Sequence, residues 1–111
     1  MAKPMISARQ RENSVALIHD LCKAKKYRKE TMFFAIGLLD RYLSRWLKHE
    51  ITEGIDLVLL STVSVLMGAK LNQPIHPSFD NMIMLLDKPY AEDKKCKKKL
   101  IDLEFQVVKF L

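Results

Sequence analysis

The residue types best suited to catalysis or to metal binding are scattered along this chain. Its three histidines, His19, His49 and His76, fall in different predicted segments and show neither H-x-x-x-H nor H-E-x-x-H spacing, which would place two metal ligands on one helix face. Cys22 and Cys96 lie far apart and form no C-x-x-C motif, which favours reduced thiols. We therefore expect no metal site, and surface or capping roles for the histidines.

The glycines also carry no recognisable chemistry. Gly37, Gly54 and Gly68 are isolated from one another, whereas a phosphate-binding loop needs several glycines within a short stretch. The chain has no G-x-S-x-G motif that could present a nucleophilic serine. The sequence therefore predicts no catalytic residues, no cofactor and no enzymatic activity.

Four charged residues are more informative, because each falls beside apolar positions of a predicted helix. These residues are Arg11, Asp40, Lys70 and Glu104. A buried charge without a partner strongly destabilises a fold, so this placement predicts that they form pairs. The alternative for each of them is a solvated position at the edge of an apolar face.

The segment that must position these charges runs from Ile55 to Leu71. Its interior, Leu57 to Ala69, carries no charge and is bounded by Asp56 and Lys70. A transmembrane helix needs about 20 mostly apolar residues, whereas a shorter apolar run is typical of a helix enclosed by its neighbours. We expect this segment to form a buried central helix.

Apolar residues at helical spacing predict four further helices around this segment. The first begins at a capping box formed by Ser7 and Gln10, in which each side chain satisfies a backbone amide of the other residue. The second contains Gly37, which costs about 1 kcal/mol relative to alanine inside a helix and therefore suggests a close helix crossing. The predicted bounds are from Ser7 to the basic linker Lys23–Lys29, from Glu30 to Lys48, from Pro77 to Leu86, and from Glu92 to the C-terminus.

Composition favours the same fold class. With 111 residues, 49% hydrophobic content, three glycines and four prolines, the chain fits one all-α domain better than a disordered or β-rich chain. Much of its net charge of +6 comes from the run Lys94–Lys99, which we interpret as a solvated helix face. Nucleic-acid binders usually spread basic residues along a face and place aromatic residues between them. Because no segment fits a signal peptide or a membrane span, we expect a soluble, intracellular protein without membrane contact.

Several segments resemble the cyclin box. The stretch Thr31–Ser44, TMFFAIGLLDRYLS, is similar to the second-helix signature of cyclins and contains its DRYLS core. Gly68–Leu71 resembles the end of the third cyclin helix, where a small residue precedes a lysine, and Leu103–Leu111 resembles the helix that closes the first box. The order and spacing of these segments match over about Ser7–Leu111.

This resemblance implies an all-α, five-helix cyclin-box bundle with a buried central third helix, with a tail at residues 1–6 and a single box at residues 7–111. In cyclins the box activates a kinase by docking against the kinase's mobile regulatory helix. The cyclin lysine and glutamate that grip this helix match Lys70 and Glu104, which are the expected kinase-binding residues. Arg11 and Asp40 match an arginine and an aspartate that pair inside the box, which implies a structural charge pair.

Two stretches depart from the usual cyclin pattern. Many cyclins carry an apolar substrate-docking patch on the first helix, where this chain has Asn13, Ser14 and Leu17. An aromatic and two acidic residues often follow the cyclin lysine, where this chain has Leu71–Gln73. The first difference argues against docking of short basic-hydrophobic substrate motifs, and the second changes the residues beside the expected kinase contact.

The leading hypothesis is a cyclin-like regulatory subunit that binds and activates a cyclin-dependent protein kinase. The alternative is a cyclin-fold module that binds other proteins in a larger assembly without activating a kinase. Nucleic-acid binding is a third class, but it rests only on the basic charge and is not favoured.

Overall fold

The computed structural model describes residues 7–48, 56–73 and 78–109, and these ranges contain helices but no strand. The all-α prediction is therefore confirmed. The predicted tail at residues 1–6 lies outside the described ranges, so the division into a tail and a single box at residues 7–111 stays a prediction. The described ranges form six helices: α1 (Ala8–Ala24), α2 (Lys29–Leu47), α3 (Leu57–Asn72), α4 (Phe79–Ile83), α5 (Lys88–Ala91) and α6 (Cys96–Lys109).

The third helix is the buried centre of the bundle, as predicted. Every residue from Leu59 to Ala69 is buried, and α3 packs against α1, α2, α4 and α6. Asp56 fixes the start of the helix, because its carboxylate accepts hydrogen bonds from the amides of Val58 at 3.0 Å and Leu59 at 3.2 Å. An acidic residue is favourable there because the helix dipole is positive at its N-terminus.

Small polar residues allow α3 to be enclosed on all sides. Ser61, Thr62 and Ser64 are fully buried. Each hydroxyl donates a hydrogen bond to the backbone carbonyl four residues earlier, at 2.7, 2.8 and 2.8 Å respectively. These bonds offset the loss of water, which would otherwise make a buried hydroxyl costly.

Of the two described glycines, Gly68 rather than Gly37 lies at a close helix crossing. A Cβ atom added to Gly68 would lie 3.0 Å from the backbone oxygen of Thr31, at the start of α2. Among the described residues, no atom lies within 4 Å of a Cβ added to Gly37. The prediction of a close crossing at Gly37 is therefore wrong, because this glycine faces away from the core while Ala35 and Leu38 point into it.

The basic linker between the first two helices is shorter than predicted. The capping box at Ser7 and Gln10 is present as predicted, but α1 continues to Ala24 and α2 already begins at Lys29. Lys26 adopts a left-handed φ of 57°, and the amides of Lys26 and Tyr27 donate to the carbonyls of Lys23 and Cys22 at 3.1 and 2.9 Å. This is a Schellman motif, which closes α1 and turns the chain sharply into α2.

The connection between α3 and α6 differs from the prediction at three points. Helix α4 begins after its cap at Ser78 and ends at Ile83 rather than Leu86, and Leu85 and Leu86 continue in tighter turns with bonds to residues three positions earlier. The segment between the predicted fourth and last helices contains the short helix α5, which Pro89 favours by its fixed φ. Glu92 caps the end of α5 instead of starting the last helix, so α6 begins later than predicted. Pro77 lies outside the described residues.

Candidate protein-interaction site

The predicted pair Lys70 and Glu104 lies where α3 and α6 meet. Lys70 is in the last turn of α3, and its Nζ donates a hydrogen bond to Glu104 Oε2 at 2.7 Å. The side chains are 38% and 23% exposed, respectively. They are therefore held against the bundle but remain reachable from solvent.

A third side chain positions this lysine. The Lys70 Nζ lies 5.5 Å from the centre of the Phe79 ring, a distance at which a cation is attracted to an aromatic face. Phe79 is the first residue of α4, so three helices meet at the ammonium group. Helical spacing predicts only that Phe79 lies on a buried face, and nothing in the spacing identifies its contact with Lys70.

Asn72 and Gln73, two residues that depart from the usual cyclin pattern, hold the end of α3 in place through hydrogen bonds. Asn72 donates from Nδ2 to the Gly68 carbonyl at 3.0 Å. Gln73 donates from Nε2 to Thr31 Oγ1 at 2.8 Å, which links the C-terminus of α3 to the start of α2. These bonds hold the helix turn that carries Lys70.

Apolar side chains are exposed beside the charge pair. Leu71 is 69% exposed and Phe105 is 80% exposed, and each directly follows one member of the pair in sequence. Ile101 and Val108 are also exposed, and their spacing of four and three residues from Phe105 places all three on one face of α6. We call Ile101, Phe105 and Val108 the α6 apolar face, and exposed patches of this kind mark interaction surfaces.

The remaining hydrogen-bonding capacity of the pair suits protein recognition. A lysine ammonium has three donors and a carboxylate can accept about four hydrogen bonds. Glu104 uses one oxygen for Lys70. The pair can therefore donate to and accept from the backbone of a docked partner without being broken.

The second predicted pair is formed by Arg11 of α1 and Asp40 of α2. Arg11 donates from Nε and Nη2 to the two carboxylate oxygens at 2.9 and 2.8 Å, and this hydrogen bonding raises the pKa of Arg11. Both side chains are about half exposed. They bridge two helices at the protein surface, and their structural role stays a prediction.

A small cavity lies beside Asn13, Ser14 and Leu17, the α1 residues that depart from the apolar docking patch of many cyclins. A cavity of about 210 Å³ lies between α1 and the start of α3, lined by Asn13, Ser14, Leu17, Leu57 and Val58, with Gln10 at its edge. Ser14 is buried, and its hydroxyl donates to the Gln10 carbonyl at 3.1 Å. On α1 this cavity is therefore lined by the polar residues Gln10, Asn13 and Ser14 and by one large apolar residue, Leu17.

The described residues show no arrangement suited to a metal ion. They contain no group of three or more histidine, cysteine or acidic side chains that could hold one. Cys22 and Cys96 are both buried and free, and burial raises the pKa of the Cys22 thiol to about 11. Among the helices of the described ranges, none is both long and apolar enough to cross a bilayer.

Comparisons with known proteins give one positive finding. Neither the curated proteins nor the solved structures give a significant match to this sequence. The profile of the family described as "Cyclin, N-terminal domain" matches residues 1–111. That match covers the DRYLS segment, Lys70 and Glu104, and the all-helical bundle around a buried α3 is compatible with a cyclin box. From these findings we conclude that the chain belongs to the cyclin family, as a cyclin N-terminal domain.

Proposed function

We propose that this chain binds and activates a cyclin-dependent protein kinase by docking on the kinase's mobile regulatory helix. Cyclin domains are regulatory and act through contacts with other proteins. The observation that carries the proposal is the Lys70–Glu104 pair, which joins α3 to α6 at 2.7 Å beside the exposed side chains of Leu71 and Phe105. A charged pair within an apolar surface provides both area and orientation to an interface.

Activation follows from selective binding to one conformation of the kinase. Kinase activity requires an ion pair between a lysine that positions ATP and a glutamate on the regulatory helix. A subunit that binds only the arrangement with this glutamate turned inward shifts the kinase population toward it. Moving the inward state from about 1% to about 99% requires roughly 5.5 kcal/mol of differential binding.

Removing either member of the pair tests this docking site. Truncation of one partner of a buried charge pair in an interface costs about 2 to 5 kcal/mol, equivalent to a loss of affinity of about 30-fold or more. We expect this loss for Lys70→Ala and for Glu104→Ala, measured by titrating each variant against the kinase that co-purifies with the parent chain. Lys94→Ala is the matched control, because this lysine is exposed and forms no ion pair among the described residues.

The outcomes separate the proposal from its alternatives. If both alanine variants bind the kinase as tightly as the parent chain does, the docking site is wrong. A stable set of partners that lacks any protein kinase would instead favour a cyclin-fold interaction module. Nucleic-acid binding would show a steep loss of affinity with increasing salt, so weak retention that does not change with salt would count against that class.

A further inference from the structure

A second cluster of positive charge, apart from the run Lys94–Lys99, lies at one corner of the bundle. The linker segment Lys23–Lys29 contains five cations, Lys23, Lys25, Lys26, Arg28 and Lys29, and no acidic residue. We call this segment the α1–α2 corner. The corner contributes five positive charges, and the whole chain has a net charge of +6. The positive and negative charges of all other residues therefore nearly cancel.

The other basic run is partly neutralised, whereas the α1–α2 corner is not. Lys97 pairs with Asp80 at 3.2 Å and Lys99 pairs with Asp93 at 3.0 Å. Within the described ranges, none of the five cations at the α1–α2 corner forms an ion pair with a carboxylate. Uncompensated like charges repel one another, so an anionic ligand would relieve a repulsion that the fold leaves in place.

The same corner is concave. A cavity of about 350 Å³ lies between the end of α1 and the start of α2. Its lining includes His19, Lys23, Arg28 and Lys29. It also includes Cys22, Tyr27 and Met32, which belong to the core or pack against it. A pocket that combines cations with apolar groups suits an anionic group attached to an apolar or peptide stem.

The two helix ends at this corner act on an anion in opposite directions, because a helix dipole is negative at the end of α1 and positive at the start of α2. The last carbonyls of α1 are satisfied by the Schellman motif, since Lys25, Lys26 and Tyr27 donate to them. The 19-residue helix α2 starts at the same corner, and no side chain caps its first turn among the described residues. Its N-terminal amides carry a positive partial charge, which Glu30 in the first turn offsets in part.

We propose that the α1–α2 corner binds a phosphorylated side chain of a partner protein. A phosphate carries nearly two negative charges and three acceptor oxygens, which can be shared between the Lys23 ammonium, the fork of the Arg28 guanidinium and the first amides of α2. The peptide beside the phosphate lies against Tyr27 and Met32. This site is separate from Lys70 and Glu104, and it does not depend on kinase binding.

The shape of the corner favours a phosphopeptide over other polyanions. Single-stranded nucleic acid is bound along an extended basic groove with a series of stacking aromatics, whereas the cavity offers one aromatic residue, Tyr27. A membrane surface is bound by basic residues together with several inserted apolar side chains, whereas Phe33, one turn after Lys29, is the large apolar side chain exposed near this corner among the described residues. A single concave pocket matches a single phosphate group.

Retention of a defined peptide library tests this proposal. The probe is a library with random residues around a fixed phosphoserine, passed over the immobilised full chain beside the same library with serine. We expect retention of the phosphorylated library only, and a loss of roughly tenfold or more in Lys23→Gln/Arg28→Gln, because charge-assisted hydrogen bonds are lost. The matched control is Lys94→Gln/Lys98→Gln, which removes the same net charge from exposed lysines of the other basic run and should retain the library fully.

The results that would overturn the proposal are distinct. Equal retention of the two libraries would show that phosphate is not recognised. Equal loss in both double variants would show that net charge alone drives binding. Binding of a single-stranded oligonucleotide or of vesicles with anionic phospholipid, without binding of the phosphorylated library, would assign the corner to a nucleic acid or a membrane. Thermal melting of both double variants shows that each remains folded, because only exposed side chains are changed.

Discussion

Lys70 and Glu104 are expected to matter far more to a complex than to the stability of the free chain. A pair that is partly exposed contributes about 0 to 1 kcal/mol, and both side chains still reach solvent. When a partner covers the pair, removing one charge leaves the other buried and unpaired. The Lys70→Ala and Glu104→Ala variants should therefore stay folded while they lose affinity for the kinase.

Cys22 gives a residue-scale prediction that depends on pH. Burial raises the pKa of its thiol to about 11, compared with about 8.5 for an exposed cysteine. Because the thiolate is the reactive form, iodoacetamide at pH 8 should modify native Cys22 about 100-fold or more slowly than the same residue in urea. Mass spectrometry of the tryptic peptides distinguishes Cys22 from Cys96. Similar rates in the native and unfolded chain would contradict the buried, neutral thiol.

The same pKa shift predicts how stability changes with pH. Since the folded-state pKa of Cys22 is higher than the unfolded value, folding favours the neutral thiol. Its contribution is complete below about pH 8.5 and is lost as the pH rises toward 11. Denaturant unfolding over this range should show a decrease in the free energy of unfolding that is smaller in Cys22→Ala.

The sequence alone predicts only some of the contacts between individual side chains. Lys70 and Glu104 were selected through the resemblance, because helical spacing alone shows merely that each charge stands beside apolar positions. Their closeness in space depends on the packing of α3 against α6, which no local pattern encodes. The contact of Lys70 with Phe79 and the bond from Gln73 to Thr31 were missed for the same reason, as each joins different helices.

The two glycines of α2 and α3 give a matched pair of predictions at the scale of helices. Gly37→Ala should raise the melting temperature by about 3 to 6 °C, because alanine stabilises a helix by about 0.5 to 1 kcal/mol relative to glycine and there is open space at this position. Gly68→Ala should lower it, since the new methyl would meet the Thr31 carbonyl at 3.0 Å. Overpacking typically costs about 1 to 3 kcal/mol, more than the gain in helix propensity.

Thermal unfolding followed by circular dichroism measures both variants against the parent. The neighbour of Gly68 is backbone, and Thr31 is also held by its bond to Gln73 at 2.8 Å, so α2 has little freedom to move away. An equal rise of melting temperature in the two variants would contradict the close crossing of α2 and α3.

The helices themselves were largely predictable, but their ends were less so. The uncharged, apolar sequence of α3 predicts burial on every side. In α2, the helical spacing of the apolar residues identifies those that face the core. The end of α1 depends on the left-handed backbone conformation of Lys26. Because glycine or asparagine usually adopts this conformation, the residue type at position 26 does not predict the end of the helix. Helix α5 is not predictable from apolar spacing, because a four-residue helix has too few residues to show a period.

In the whole molecule, the residues of the core and those of the two proposed binding surfaces are different. The apolar interior of α3 holds the bundle together, while its final turn presents Lys70 beside Glu104 and the α6 apolar face. The α1–α2 corner, built from other elements, carries five cations that form no ion pair within the described ranges. A regulatory domain with this layout could contact a kinase through one surface and a phosphorylated protein through the other.

The proposed activation of a kinase is tested by measuring the activity of that kinase. The measurement is the rate of phosphate transfer by the co-purifying kinase, with and without saturating amounts of the chain. If docking raises the fraction of kinase molecules with an inward regulatory helix from about 1% to about 99%, the rate rises about 100-fold. The rate rises far less with Lys70→Ala or Glu104→Ala at the same concentration. A kinase that binds the chain tightly with no change in rate would contradict activation, and the chain would then be a cyclin-fold interaction module.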